Sequence, residues 1–438
     1  MDIVEALNWH DARLDHERSS RGIAAGKVEG LSLQPMRALM ALLGDPQDEV
    51  PVIHITGTNG KGTVAAMVSS LLRAHGLSVG TYTSPHLDRV NERLSRDGRA
   101  ISDVELAEVF TGIAAIEPLL EVQPSWFEVI TAAAFRWFAE APVDVAVVEV
   151  GLLGRTDATN VVDATVAVVT SVQGDHTDFS DGWELAVAGE KAGIITPDSV
   201  AVIGDVAAEL VGVFEAEGPA ELVRLGADFA PIEDRVAIGG HVVDLQGLHG
   251  RYDELFVPVH GHHQVVNAAI AVAAVEAFFG RALDTEVVGE GFAALELPGR
   301  FEIVQHGPLV VLDGAHNPDA LLATALTLED EFSPVGTRLV VLGALAGRDP
   351  DRTVRAIAQV RPDLVICTSL EGPRGTEAAE LAAVCARHGL VTEAVGDPVV
   401  AVSRALAIAQ EEDVVLVTGS FRLLTPARAA IAAFGARN

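Results

Sequence analysis

The chain has 438 residues and a formal net charge of −32, an acidic balance that argues against nucleic acid or an anionic membrane surface as partner. Hydrophobic residues make up 49%, too much for a disordered chain, yet no uninterrupted apolar run approaches the ~20 residues that span a bilayer. The length favours two large domains, and two cysteines, Cys367 and Cys385, supply neither a disulfide framework nor a metal cluster.

The N-terminal stretch MDIVEALNWHDARLDHERSS is charged and lacks the basic-then-apolar layout of a signal peptide, so a cytoplasmic location is expected. Val52–Thr56 is a short β-branched run, a strand, followed by the loop Gly57-Thr58-Asn59-Gly60-Lys61-Gly62-Thr63 and an apolar helix from about Val64. Similar runs at Val143–Val150 and Thr165–Val172 each lead into a glycine-rich turn and a helical pattern. From about Ser199 to His260 the pattern changes to short alternating runs with Gly, Asp and His turns (RVAIGGHVVDLQG), as in an antiparallel patch. An Ala-rich helix, His263 to Phe279, comes next, and Pro298-Gly299 then breaks the pattern. A second strand–helix series follows, with strands at Leu309–Asp313, Arg338–Ala344, Asp363–Thr368 and Asp413–Thr418.

Nearly continuous apolar strands alternating with helices indicate parallel sheets covered on both faces. The expected fold is α/β. Residues 1–297 form an N-terminal P-loop ATPase-type parallel-sheet domain with a small antiparallel β patch at about 199–260. Residues 298–438 form a smaller Rossmann-like α/β domain.

Only Lys27, Lys61 and Lys191 are lysines among the 30 basic residues. The ratio suggests drift toward arginine where either cation serves, so Lys61 and Lys191, with their distinctive surroundings, are read as places that need a compact ammonium or a titratable amine, whereas Lys27 carries no such reading. Lys61 lies in the glycine-rich loop. Backbone N–H groups of such a turn, with the helix N-terminus, cradle an anion. Lys61 would reach the β- and γ-phosphates, and the Thr63 hydroxyl is placed for Mg²⁺. The common G-x-x-x-x-G-K-[ST] pattern is not met strictly, because Gly62 follows Lys61 and the spacing to Gly57 is shorter.

This GTNGKGT variant resembles the ATP loop of the Mur ligase superfamily, and the Gly62 insertion points to its folate branch, the folylpolyglutamate synthase/dihydrofolate synthase family. Further segments are similar to that family's: Thr83-Ser84-Pro85-His86-Leu87 with Arg89 to Arg93, Glu149 to Asn160, Gly174-Asp175-His176-Thr177, and Glu190 to Ile194. So are Gly261 to Ala269, Leu297-Pro298-Gly299-Arg300-Phe301-Glu302, Asp313-Gly314-Ala315-His316-Asn317-Pro318, and Val417 to Phe421. Two positions depart from the pattern. Leu153 stands where glycine is frequent, and Arg348 stands where the family has lysine.

The resemblance implies ATP-dependent amide formation through an acyl phosphate. It gives Thr58, Asn59, Gly60, Lys61, Gly62, Thr63, Asn267, Arg300 and Asp313 to ATP. Thr63, Ser84 and Glu149, hard oxygen donors that suit the ion, would hold Mg²⁺ together with His176, an unusual nitrogen ligand, and Lys191 would join them as the family's carbamylated lysine. His316 would meet the incoming amino acid or acyl phosphate, so that Lys61, Lys191 and His316 form the catalytic set. Ser125, Trp126, Phe127 and Glu128, with Thr156, Asp157 and Ala158, match positions that hold the pterin-bearing substrate in bifunctional members. The expected partners are small molecules only, handled by a monomer: ATP, L-glutamate, and dihydropteroate or a reduced folate. A bifunctional enzyme is favoured over one with a single activity. Another Mur-type amino-acid ligase is disfavoured by the GKG loop and the Ser84-Pro85-His86-Leu87 segment. A non-catalytic nucleotide-binding protein is disfavoured by joint retention of Lys61, Glu149, His176 and Lys191.

Overall fold

A computed structural model describes residues 1–14, 32–175, 177, 179–346, 349–372 and 375–435. Lys27, His176 and Arg348 lie outside the described residues. The chain forms two compact units. One contains residues 32–258 and 264–296 with the N-terminal segment, and the other contains Val259–His263 and residues 297–435.

The first unit is organised by an eight-stranded sheet. In chain order its strands are β1 (Val52–Thr56), β2 (Val79–Tyr82), β3 (Leu94–Arg96), β4 (Arg99–Ala100), β5 (Val145–Glu149), β6 (Val166–Ser171), β7 (Val200–Asp205) and β8 (Glu221–Arg224). Their spatial order is β4-β3-β2-β5-β1-β6-β7-β8. β2, β5, β1, β6, β7 and β8 are parallel, and the two short strands β3 and β4 add antiparallel at one edge. β1, β5 and β6 are buried along their whole lengths, which is why their sequences are unbroken apolar runs rather than alternating ones.

One sequence expectation is corrected here. The stretch from 199 to 260 is not one antiparallel patch. β7 and β8 continue the parallel sheet, joined through the helix Val211–Glu215. Only β9 (Ala230–Ala237), β10 (Gly240–Gln246) and β11 (Arg251–Val257) form a separate antiparallel sheet. The physical difference is legible in burial. β7 has four consecutive buried residues, whereas β11 alternates toward solvent.

The helix His262–Phe279 is buried over most of its length, including Glu276 at 0% exposure. A carboxylate is tolerated there because it is fully used. It accepts the Tyr252 hydroxyl at 2.7 Å and the His249 N–H at 3.2 Å, and it also accepts the Leu248 N–H. The Tyr252 hydroxyl, whose pKa is pushed up by burial and by Glu276, accepts the Leu283 N–H at 2.8 Å. This carboxylate therefore holds the turn between β10 and β11. Glu276→Ala strands these donors in the interior. It is expected to lower stability by about 2–4 kcal/mol, read as a fall in the urea midpoint.

The second unit has a six-stranded sheet from β12 (Glu302–His306), β13 (Leu309–Leu312), β14 (Arg338–Gly343), β15 (Leu364–Thr368), β16 (Thr392–Ala394) and β17 (Val414–Thr418), in the order β12-β13-β17-β14-β15-β16. β12 pairs antiparallel with β13, and the other pairings are parallel. Cys367 on β15 and Cys385 on the helix Ala378–Arg387 are free, fully buried and 3.8 Å apart at sulfur. They pack in the core of this unit. No helix among the described residues is long and apolar enough to cross a membrane.

Candidate active site

The phosphate loop leaves the buried end of β1. Gly57 has φ +151° and Gly60 φ +86°, conformations that favour glycine. Space is also lacking. A Cβ on Gly57 would lie 1.8 Å from Thr170 Oγ1, and one on Gly60 2.6 Å from Asn267 Oδ1. The loop is tied to the end of β6, the strand beside β1. The Asn59 N–H donates to Ser171 Oγ at 3.0 Å, and the Asn59 carbonyl accepts from Thr170 Oγ1 at 2.5 Å. Asn59 Nδ2 donates to Gln173 Oε1 at 2.6 Å. Thr58 Oγ1 accepts the Gln173 N–H at 3.0 Å and donates to the Gln173 carbonyl at 3.1 Å. The side chains of Thr58 and Asn59, with their backbone N–H groups bonded to Ser171, thus tie the first half of the loop to β6. Lys61 Nζ donates to the Gly57 carbonyl at 2.9 Å and the Thr58 carbonyl at 3.3 Å.

The helix starts at Lys61 rather than near Val64, because the turn at Gly60 already presents residues 61–63 in helical form. Gly57→Ala combines strain with overlap against Thr170. It is expected to cost about 3 kcal/mol and to abolish the melting-temperature rise that added nucleotide produces.

Glu149 ends β5, the strand on the other side of β1, and pairs with Ile55 in register. It is 3% exposed, and its Oε2 accepts the Ser84 N–H at 2.9 Å. Three neighbouring strands, β2, β5 and β1, therefore bring Ser84, Glu149 and the phosphate loop together at their carboxyl ends, the place where parallel sheets bind ligands. No group of three or more His, Cys, Asp or Glu side chains suited to a metal occurs among the described residues. A cation here would depend on Glu149, the hydroxyls of Thr63 and Ser84, waters and nucleotide phosphates. That donor set fits Mg²⁺, which keeps waters and phosphates as ligands.

Lys191 lies in the last turn of the helix Trp183–Ala192 and is 3% exposed. Burial holds its pKa well below the ordinary lysine range. The nearby Lys61 charge adds to this, and Asp175 opposes it. A buried amine of this kind is readily neutral, and so nucleophilic. The next residue back, Glu190, has its carboxyl pushed up by burial, with Arg155 acting the other way.

The turn after β5 docks on this helix end. The Arg155 N–H donates to the Glu190 carbonyl at 2.8 Å. A Cβ on Gly154 would lie 2.6 Å from that carbonyl and 3.2 Å from the Lys191 Cα. The turn itself is organised by Asp157, which is buried. It accepts the Leu152 N–H at 2.8 Å, the Thr159 N–H at 3.0 Å and the Thr159 hydroxyl at 2.5 Å. Thr156 is half-buried and Ala158 buried.

Of the four residues at 125–128, three have structural tasks. Ser125 and Glu128 form a reciprocal capping box on the helix Trp126–Glu140. Trp126 is 3% exposed, stacks on His10 with ring centroids 4.3 Å apart, and donates from Nε1 to Asp11 at 3.0 Å. Phe127 is placed differently. Half-buried, it reaches the start of the Asp157 turn, where a Cβ on Gly151 would meet its ring at 2.3 Å.

In the second unit, Asp313 follows β13 and is likewise an organiser. It accepts from the Phe301 N–H at 2.8 Å, the Ala315 N–H at 2.9 Å and the Thr324 hydroxyl at 2.9 Å. Asn317 caps the helix Pro318–Thr327. Between them, His316 Nδ1 donates to the Gly314 carbonyl at 2.9 Å. The Arg300 guanidinium lies 4.3 Å from the centre of the Phe421 ring. Asn267, in the first unit, donates from Nδ2 to Gln264 at 2.8 Å and abuts Gly60.

Residues 299–421 match the family model described as Mur ligase, glutamate ligase domain. The dihydrofolate synthase/folylpolyglutamate synthase of Mycobacterium tuberculosis is 44% identical over 375 residues, covering 80% of this chain and 77% of that protein. The chain belongs to the dihydrofolate synthase/folylpolyglutamate synthase family. Two solved structures are similar over nearly the whole chain. Mycobacterium tuberculosis folylpolyglutamate synthase complexed with ADP superposes with a TM-score of 0.89 at 38% identity, covering 99% of this chain and 98% of that one. E. coli FolC in complex with DHPP and ADP superposes with a TM-score of 0.85 at 32% identity, covering 100% of this chain and 99% of that one.

Leu153, one of the two departures from the motif pattern of the family, stands at a position whose backbone favours glycine. Leu153 has φ +60°, a left-handed conformation costing a non-glycine residue about 1–2 kcal/mol. Packing against Val187 offsets that cost, and the Leu153 carbonyl accepts the Thr56 hydroxyl at 2.6 Å. Sequence reasoning misses Thr170, Ser171 and Gln173, which anchor the phosphate loop. The available signal is their place, immediately at the end of the apolar strand that pairs with β1. It also misses His54.

Proposed function

We propose that this protein is an ATP-dependent amide ligase that adds L-glutamate to dihydropteroate and to the glutamate tail of reduced folates. The observation that carries the reading is the gathering of a Lys61-bearing phosphate loop, Glu149 with Ser84, and the buried Lys191 in the first unit, in a chain of this family. A carboxylate oxygen of the folate substrate attacks the γ-phosphorus of ATP and ADP leaves, giving an acyl phosphate. The glutamate nitrogen then attacks the acyl carbon, and the tetrahedral intermediate expels phosphate as the amine gives up its proton.

Loop N–H groups and Lys61 offset charge on the transferring oxygens. Asn267, Arg300 and Asp313 are assigned to ATP, the last through the loop it organises, and His316 to the incoming amino acid or acyl phosphate. Thr63, Ser84, Glu149, His176 and carbamylated Lys191 are the residues that would hold Mg²⁺, which when bound neutralises phosphate oxygens. Carbamylation joins the neutral Lys191 nitrogen to the carbon of CO2 with release of one proton, turning a cation site into an anion. The pterin-bearing substrate is assigned to Phe127 and to the turn at Thr156, Asp157 and Ala158. Ser125, Trp126 and Glu128 support that site from behind. A cytoplasmic monomer is part of the proposal.

The test is phosphate release by the purified protein with ATP, Mg²⁺ and L-glutamate. Dihydropteroate, tetrahydrofolate and a UDP-muramoyl peptide would be offered in turn. Release with the first two is the expected result, and release with one alone means a single activity. Release only with the muramoyl peptide, or with none, overturns the reading.

A further inference from the structure

His54 sits at the centre of β1, fully buried, and the reaction above does not use it. A histidine inside an apolar strand is costly unless its ring is satisfied, and here satisfaction is one-sided. Nε2 lies 2.9 Å from Thr159 Oγ1, while Nδ1 is buried with no hydrogen-bond partner. The neighbours fix the direction of bonding. Thr159 spends its single hydroxyl proton on Asp157 Oδ1 at 2.5 Å, so it accepts from His54, and the ring proton is on Nε2. Burial lowers the imidazole pKa to about 3, so the ring is neutral at working pH.

The chain of bonds continues outward. Asp157 accepts the Leu152 N–H at 2.8 Å, and Thr56, two residues after His54, donates to the Leu153 carbonyl at 2.6 Å. The turn so held is the one that rests on the Glu190 carbonyl and the Lys191 Cα. A leucine or valine would fill this position without leaving a buried acceptor orphaned. A histidine at this position therefore points to a need for its one donor.

We propose that His54 is a positioning residue whose Nε2–H, through Thr159 and Asp157, sets the turn at 151–160 against the helix end that carries Lys191. His54 is fully buried, and no substrate contact is assigned to it. Its effect is to fix where Lys191 and the Gly151 end of the turn stand. This rests on the ligase reading above.

The experiment compares His54→Gln, which keeps an N–H donor near the Nε2 position, with His54→Met, which has similar length and no donor. His54→Met is expected to lose about 10- to 100-fold in kcat with the KM for ATP unchanged, and His54→Gln to recover most of that loss. Equal activity of the two variants, at any level, overturns the proposal. Should His54→Met fail to fold, Thr159→Val and Thr159→Ser make the same comparison one bond further out. Thr159→Val is expected to be impaired and Thr159→Ser active, and equality again overturns it. A wild-type protein inactive with every acceptor refutes the ligase reading instead. The chain is then judged by nitrogen-15 NMR of the full protein, where a proton on Nδ1 rather than Nε2 of His54 would overturn it.

Discussion

Lys191→Arg is expected to lower kcat by about 100- to 1000-fold and, because it buries a charge that cannot be shed, to lower the melting temperature as well. The side chain is 3% exposed, and burial and the Lys61 charge both work against a second cation at this spot. A lysine escapes by shedding its proton, and the free amine can then add CO2. A guanidinium can do neither. Arginine at 191 would therefore place a permanent positive charge beside Lys61, where an anion is wanted. Carbon-13 NMR with labelled bicarbonate gives an independent reading, since a carbamate carbonyl signal present in the wild type should vanish in the variant. Arg136→Lys is the control. Arg136 pairs with Glu140 one helical turn away on a partly exposed face, worth about 0.3–0.5 kcal/mol at most, so activity should hold. Wild-type turnover by Lys191→Arg would sink the carbamate assignment.

Glu149→Gln is expected to cost about 10- to 100-fold in kcat and to raise the Mg²⁺ concentration needed for half-maximal rate by a similar factor. The amide oxygen can still accept the Ser84 N–H that Glu149 holds at 2.9 Å, so the strand ends should keep their arrangement. Only the negative charge is lost. An unchanged Mg²⁺ requirement would remove Glu149 from the cation site and leave it as a clamp on Ser84.

The two carboxylates Asp157 and Asp313 show where sequence reading stops. Both stand in motifs and both look like ligand contacts by position. In the structure each accepts N–H and hydroxyl protons from the protein, Asp157 from its own turn and Asp313 mostly from elements outside its loop. Two of the donors to Asp313, Phe301 and Thr324, are 12 and 11 residues away in sequence, so no local pattern announces them. Trp126 and its neighbours are a different case. Ser125-Trp126-Phe127-Glu128 is a capping-box signature, and the structure shows that box on the helix Trp126–Glu140.

β1, its glycine loop and the strand ending in Glu149 were legible because burial on both faces leaves an unbroken apolar run, and a glycine turn interrupts it sharply. β7 and β8 were not. The turn-rich residues around them resemble a meander, and parallel pairing through a five-residue helix leaves no periodic trace. Lys191 stands out twice in the sequence, by the scarcity of lysine and by the segment Glu190 to Ile194 around it, and the structure shows it buried.

Both cysteines of the chain, Cys367 and Cys385, are at 0% exposure. The surface of the molecule accordingly presents no thiol. A maleimide dye offered to the folded wild type should find nothing to label, and a single cysteine placed on an exposed helix should give one homogeneous conjugate without prior removal of native cysteines. Two such positions, one on each compact unit, would carry a donor–acceptor pair, so that energy transfer reports their separation directly as nucleotide, folate and glutamate are added in turn.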